Sequence, residues 1–385
     1  MMKVSAMSKG KSMVFKRGYF LLFTGFFIGI VLASLLSSAY FSRGRIEGEG
    51  GMPSKVEITF LYSSEKQGWL EEVTPRFEVW FKERFGIDVS VKLVAAGSHE
   101  TINLILHGFQ PTIWSPASSI WIPYLNEKWK ESHGGGEIAK EWVPLVFSPI
   151  VIAGWEDIVR RYNVSGFMDL YRLAKSGVPF KWGHPDPRLS NGGTMVVILE
   201  FAEAVGKRPE DLTLDDIKNE TVLGIVRTIE SHAVAYGKST GFFGAWAADS
   251  GPSAITFFGV YENIVLENAV KARKKWGTRL IAIYPKFGTL LSDHPFVILN
   301  AEWVTPWQKF VASQYLYFLL QPEIQYIAQK HGFRPSNPSV PIDEGIFSLD
   351  NGVVRDLKVK VLRPPSGEVL DALLSLWEKV KNPGV

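Results

Sequence analysis

At 385 residues the chain is too long for one ordinary hydrophobic core and long enough for two domains. Hydrophobic residues make up 46% and charged residues 21%, a globular balance that excludes a disordered chain. The net charge of +3 is too even to favour nucleic acid as a partner, and the absence of cysteine excludes disulfides, thiolate metal sites, a catalytic thiol and a lipid-modified cysteine.

Residues 1–17 carry Lys3, Lys9, Lys11, Lys16 and Arg17 and no acid. The next 25 residues, Gly18 to Ser42, are uncharged and rich in Phe, Leu, Ile and Gly. At about 1.5 Å per helical residue they cross a bilayer core. A secretory signal has an apolar stretch of only about 7–15 residues. The spacing therefore predicts a retained transmembrane helix over 18–42, with cleavage after Ser37-Ser38-Ala39 as the rival reading. The basic residues in front keep 1–17 in the cytoplasm and send residue 43 onward outside. Residues 43–54, glycine-rich and without apolar period, form a flexible linker.

The body begins at Lys55. Val56, Ile58 and Phe60 alternate as in a strand. A helix follows from about Gln67 to Phe85, then a strand from Asp88 to Val94, a helix from Ser98 to His107 and a short strand at 111–114. Pro116 stands where the next helix would begin. Three strands in a row thus end in serine-bearing turns, and ligands of open α/β sheets bind at the carboxyl ends of strands. Val143 to Ala153 is strand-like, with Pro144 and Pro149 suggesting a bend. A new region starts at Gly154, with helices at about 155–162, 166–176, 194–205, 213–218 and 221–236 and strands at 260–264 and 280–284. A strand at 294–299 and helices at 307–320, 322–331 and 367–380 close the chain.

Residues 181–195, Lys-Trp-Gly-His-Pro-Asp-Pro-Arg-Leu-Ser-Asn-Gly-Gly-Thr-Met, stand out. Pro185 and Pro187 forbid a helix. Ser190 and Asn191 are N-cap residues, and Gly192 and Gly193 leave the start of the next helix free of side chains. Its amides and dipole suit an anion, although an ordinary capped helix after a proline loop has the same pattern.

Several enzyme-like patterns occur. Gly237-Lys238-Ser239-Thr240-Gly241 matches a nucleophile elbow, but the elbow requires a preceding strand and Thr221 to Tyr236 reads as helix. Ser63-Ser64-Glu65-Lys66 has the serine–lysine spacing of penicillin-binding enzymes, yet no Lys-Thr-Gly occurs. His184 with Asp186, and Asp293 with His294, lack a third ligand at a metal-site spacing. Trp69, Trp121, Trp182 and Trp246 are of the type that stacks on sugars, though large aromatics more often fill cores.

Seven pieces carry a family resemblance: 61–66, 111–119, 183–187, 261–263, 283–289, 292–296 and 331–335. In this order they resemble the extracellular solute-binding proteins of the type II periplasmic fold, in a molybdate-binding-like branch often fused to von Willebrand factor A domains. No von Willebrand domain follows within this sequence. The resemblance implies an α/β fold of two lobes joined by two hinge crossovers, with ligand held in the cleft. Lobe one would be 55–153 plus 285–385, and lobe two 154–284. Carried over by position, the ligand-binding residues would be Ser63, Ser64, Ser115, Ser118, His184, Ser190, Asn191, Gly192, Gly193, Thr194, Lys238, Ser239 and Tyr284. It implies no enzyme activity and no cofactor. The expected function is capture of a small polar ligand for an ABC-type permease by a membrane-tethered extracellular protein. An extracellular scaffold or sensor presenting a partner surface is the alternative. A rim of hydroxyls and amides suits an oxyanion and equally a neutral polyol.

Overall fold

The computed structural model describes residues 53–381. The expected span 18–42 and nearly all of the linker lie outside the described residues. Among the described residues no helix is long and apolar enough to cross a membrane.

The chain starts with β1 (Lys55–Ser63), whose alternating burial follows its alternating sequence. A 3-10 turn (Ser64–Lys66) leads into α1 (Gln67–Phe85), which Gly86 ends in the left-handed conformation. There follow β2 (Asp88–Ala96), α2 (Ser98–Leu106), β3 (Ile113–Ser115), α3 (Trp121–His133), β4 (Val143–Pro144) and β5 (Val146–Trp155). The helix expected at Pro116 begins only at Trp121, because residues 116–120 form an irregular turn after β3. Next come α4 (Glu156–Tyr162), α5 (Phe167–Lys175), β6 (Trp182–Pro185), α6 (Asn191–Val205), α7 (Leu214–Lys218) and α8 (Glu220–Glu230). Then β7 (Ala233–Gly237), α9 (Thr240–Ser250), β8 (Phe257–Tyr261), α10 (Glu262–Trp276), β9 (Leu280–Ile283), β10 (Thr289–Ser292) and β11 (Pro295–Ile298). The last elements are α11 (Pro306–Leu319), α12 (Pro322–Lys330), β12 (Arg334–Pro335), β13 (Val361–Leu362) and α13 (Gly367–Lys381). The single helix expected over 221–236 is corrected: α8 stops at Glu230 and β7 follows, paired parallel to β6.

The first lobe is built on a sheet of order β2-β1-β3-β11-β4. β1, β2 and β3 are parallel and β11 returns antiparallel. One face packs α1, α11 and α12 around Phe60, Phe77, Tyr315 and Phe318, and the other packs α2 and α3 around Trp114, Trp121 and Leu125. β5 is the first crossover. Its start pairs with β12 and β10, and its end, from Ile150 to Trp155, pairs with β8 and β9 of the second lobe. β10 is the way back. It pairs with β5 at Pro149 and Ser148, just before β11 enters the first sheet.

The end of the chain returns to lobe two. α13 packs on α6, α7 and α8. Its Trp377 is fully buried, and its indole donates to Glu230 at 3.1 Å. The last part of 285–385 therefore sides by contact with lobe two, so the chain passes between the lobes a third time. Apolar spacing alone showed the helix but not which surface its apolar stripe covers.

Candidate functional site

The strand ends foreseen as a polar rim meet between the lobes. The register sets Tyr62 beside Ser115, so the carboxyl ends of β1 and β3 lie together and carry Ser63 and Ser115. From lobe two come the start of α6, with Ser190 and Asn191, and the start of α9, with Ser239 and Thr240. Lobe two also supplies Tyr261, ending β8, and the return crossover supplies Ser292, ending β10. All of these side chains are buried.

Hydrogen bonds stitch this seam from lobe to lobe. Ser64 Oγ donates to Ser239 Oγ at 2.8 Å. Trp121 Nε1 donates to Asn191 Oδ1 at 2.7 Å. Asn191 Nδ2 in turn donates to Tyr261 Oη at 2.6 Å and Ser292 Oγ at 3.2 Å. Within lobe two, Ser190 and Thr240 share a hydroxyl bond of 2.9 Å. The His99 amide donates to the Leu189 carbonyl at 3.1 Å. Ser115 Oγ is buried with no partner in the protein.

Two glycines permit this approach. A Cβ on Gly97 of lobe one would stand 2.6 Å from the Leu189 carbonyl oxygen and 2.9 Å from that of Lys238. A Cβ on Gly241 of lobe two would stand 2.9 Å from the Glu65 amide nitrogen. The start of α9 thus abuts the turn after β1 directly.

A charged cluster lines the lobe-one side. Glu65 and Lys66 are buried, with Lys66 Nζ 3.6 Å from Glu65 Oε1. Ser63 Oγ donates to Glu65 and accepts from Lys66. His294 Nδ1 lies 3.2 Å from Glu65 Oε1 and 3.3 Å from Lys66 Nζ, and its Nε2 is buried without a partner. Burial disfavours ionisation of Glu65, but Lys66, His294 and Ser63 together hold its carboxyl at about 2. Burial lowers Lys66 to about 8, with Glu65 opposing the shift. Burial, aided by the Lys66 charge, brings His294 down to about 4, so its ring is neutral at pH 7.

Of the residues expected at the site, Ser63, Ser64, Ser115, Ser190, Asn191 and Ser239 come together here. Ser118 lies in the adjoining turn, buried, its hydroxyl accepting from the Ile120 amide at 3.4 Å. The structure sets the others elsewhere. His184 is enclosed within lobe two, Nδ1 2.7 Å from the Pro185 carbonyl and Nε2 3.2 Å from Glu230, under Trp377. Tyr284 lies at the return crossover, donating to Glu262 and accepting from the Val354 amide at 3.1 Å. The Lys238 side chain points to solvent, and only its backbone reaches the seam. Thr194 donates to the Pro187 carbonyl at 2.7 Å, inside its own lobe. Gly192 and Gly193 face protein: added Cβ atoms would run into the Thr240 hydroxyl and the Pro185 carbonyl respectively. They serve helix packing, since α6 is buried from its first turn.

Sequence reasoning missed Trp121 as a hydrogen-bond donor to Asn191, and Tyr261, Ser292, Glu65, Lys66 and His294 as members of the seam. The Ser63–Lys66 spacing carried a signal: it places both side chains on one side of a helical turn. The elbow around Ser239 also does follow a strand, contrary to the sequence reading. Its hydroxyl meets Ser64, however, and no histidine or carboxylate contacts it among the described residues. A nucleophile needs such a base.

Two α/β lobes on crossover strands, meeting at a buried polar seam, define a periplasmic-binding-type protein. The chain belongs to the bacterial extracellular solute-binding proteins, whose family model matches residues 58–334. Solved structures of this fold are similar. The sulfate-binding protein from Mycobacterium tuberculosis aligns at TM-score 0.53 and 16% identity, over 74% of this chain and 88% of that one. A periplasmic thiamin binding protein aligns at TM-score 0.58 and 13% identity, over 88% of this chain and 100% of that one. A spermidine/putrescine ABC transporter substrate-binding protein from Streptococcus pneumoniae aligns at TM-score 0.55 and 13% identity, over 84% and 98%. Identities this low show the fold alone. No curated protein sequence matches the chain.

Proposed function

We propose that this protein captures a small polar ligand between its lobes, outside the cell, and delivers it to an ABC-type permease. The apolar, uncharged residues 18–42 would tether it to the membrane, with the body on the extracellular side. The observation that carries the reading is the seam itself. Both lobes contribute buried hydroxyls to it, and Ser115 Oγ and His294 Nε2 remain without partners. Buried polar groups are ordinarily paired, so unpaired ones at a lobe interface suit a ligand that supplies the missing bonds. The neighbouring structures of sulfate-, thiamin- and spermidine/putrescine-binding proteins support transport as the use of this fold.

The test is small-angle scattering with thermal melting across a ligand panel. A true ligand raises the melting temperature by mass action and lowers the radius of gyration as the lobes close. A panel that changes neither would favour a scaffold presenting a partner surface. For the tether, the intact mass of the native protein should include residues 18–42; an N-terminus at Tyr40 would refute retention.

A further inference from the structure

The charges in the seam narrow the ligand class, an inference that rests on the reading just given. Among the described residues only two lysine or arginine side chains are buried, Lys66 and Arg334. Arg334 is committed elsewhere: it grips Glu262 at 2.7 and 2.8 Å and donates to the carbonyls of Val354 and Arg355. Lys66 is therefore the cation of the seam, and Glu65 beside it already balances its charge. Asp293, next to His294, is half-buried and accepts from the Ser119 amide at 2.8 Å, a further acid beside the seam.

His294 has a backbone φ of 40°, the left-handed region that a non-glycine residue adopts at a cost. Its amide donates to the Ala117 carbonyl at 3.0 Å and its carbonyl accepts from Leu145 at 3.2 Å, which holds the strained residue between β3 and β5. Nδ1 lies between an acceptor, Glu65 Oε1 at 3.2 Å, and a donor, Lys66 Nζ at 3.3 Å, so either tautomer of the neutral ring has a partner there. Nε2 is buried with no partner in the protein, and a hydroxyl, which both donates and accepts, can meet it in either tautomer. Glu65 is ionised, and an ionised carboxylate repels a second anion brought against it in a dry seam.

We infer that the seam binds an uncharged, hydroxyl-bearing molecule, a polyol or monosaccharide, which hydrogen-bonds to His294 Nε2 and to the Ser115 hydroxyl. A doubly charged oxyanion is disfavoured, although the hydroxyls and helix starts around the seam would suit one if Glu65 were absent.

The experiment uses the full chain in detergent. Ribitol, myo-inositol, D-ribose and D-glucose form one panel; molybdate, sulfate and phosphate form the other. At least one neutral compound should raise the melting temperature and shrink the radius of gyration, and the anions should do neither. Glu65→Gln, which removes the repelling charge, should admit a melting response to an anion. If Glu65→Gln does not fold, Ser115→Ala, which removes an unpartnered hydroxyl that the ligand meets, should weaken the neutral compound about tenfold. A melting shift with any of the three anions on the unaltered protein overturns the neutral-ligand inference and leaves the receptor reading standing. Silence of both panels, with unchanged scattering, overturns both.

Discussion

Lys66 is the residue at which structure and burial conflict most. Burying an ion costs several kcal/mol unless a partner and hydrogen bonds offset it, and removing one partner strands the other. Lys66→Met should therefore cost about 3–5 kcal/mol of unfolding free energy in urea. Lys66→Met combined with Glu65→Gln should recover much of that loss, and a double-mutant cycle that came out additive would refute the coupling. His294 makes a pH prediction. Its folded value is depressed from 6.5 to about 4, so between these values the unfolded chain binds the proton and the folded one does not. Stability from this group is present above about 6.5 and lost as pH falls toward about 4. The stability advantage of the parent over His294→Gln should thus shrink as pH falls through that window. A constant difference would show that the ring is not buried neutral.

At the scale of elements, helix starts decide how closely the lobes approach. Gly97 and Gly241 keep backbone against backbone across the seam. Gly97→Ala should leave each lobe folded, since its φ of −70° is open to any residue, and yet hold the lobes apart. The measurement is a radius of gyration larger than the parent's that no ligand reduces. Gly193 behaves differently. From the sequence, Gly193→Val is expected to abolish binding at an unchanged melting temperature. The structure revises this, because the added Cβ would run into the Pro185 carbonyl within lobe two. Overpacking of this kind costs about 1–3 kcal/mol or more, so the melting temperature should fall first. An unaltered melting temperature would return Gly193 to the ligand side.

Across the whole molecule, the third passage of the chain ties the two lobes together. After β12 the chain carries Val354, whose amide meets Tyr284 at the return crossover, and ends in α13 on lobe two. Trp377 seals a buried group there: Glu230 accepts from it at 3.1 Å, from Trp182 at 3.3 Å and from Tyr236 at 2.6 Å, with His184 at 3.2 Å. Trp377→Ala removes a large buried ring and one donor, a change worth about 3–5 kcal/mol. Unfolding monitored by denaturant should show lobe two destabilised before lobe one. Loss of both lobes in one transition would mean that the passage couples them more tightly than its contacts indicate.

Local chemistry in the sequence determined a good deal: the alternation of β1, the 19 residues of α1, the serine-ended strands and the apolar stretch 18–42 as a candidate anchor, while the two-lobed plan came from the family resemblance. The local features follow from period, caps and composition, which act over a few residues. Tertiary structure alone decided which of the serines meet. Ser64 and Ser239 are 175 residues apart, and their contact depends on two sheets, two crossovers and two glycines. It also decided that His184 sits under Trp377 while His294 faces Glu65. Both histidines precede a proline and follow polar or flexible neighbours, so nothing local separates them. The burial of Glu65 and Lys66 was equally hidden, because a charged pair at the start of an amphipathic helix ordinarily faces water. Only the approach of a second lobe, closing over that helix start, makes it the interior.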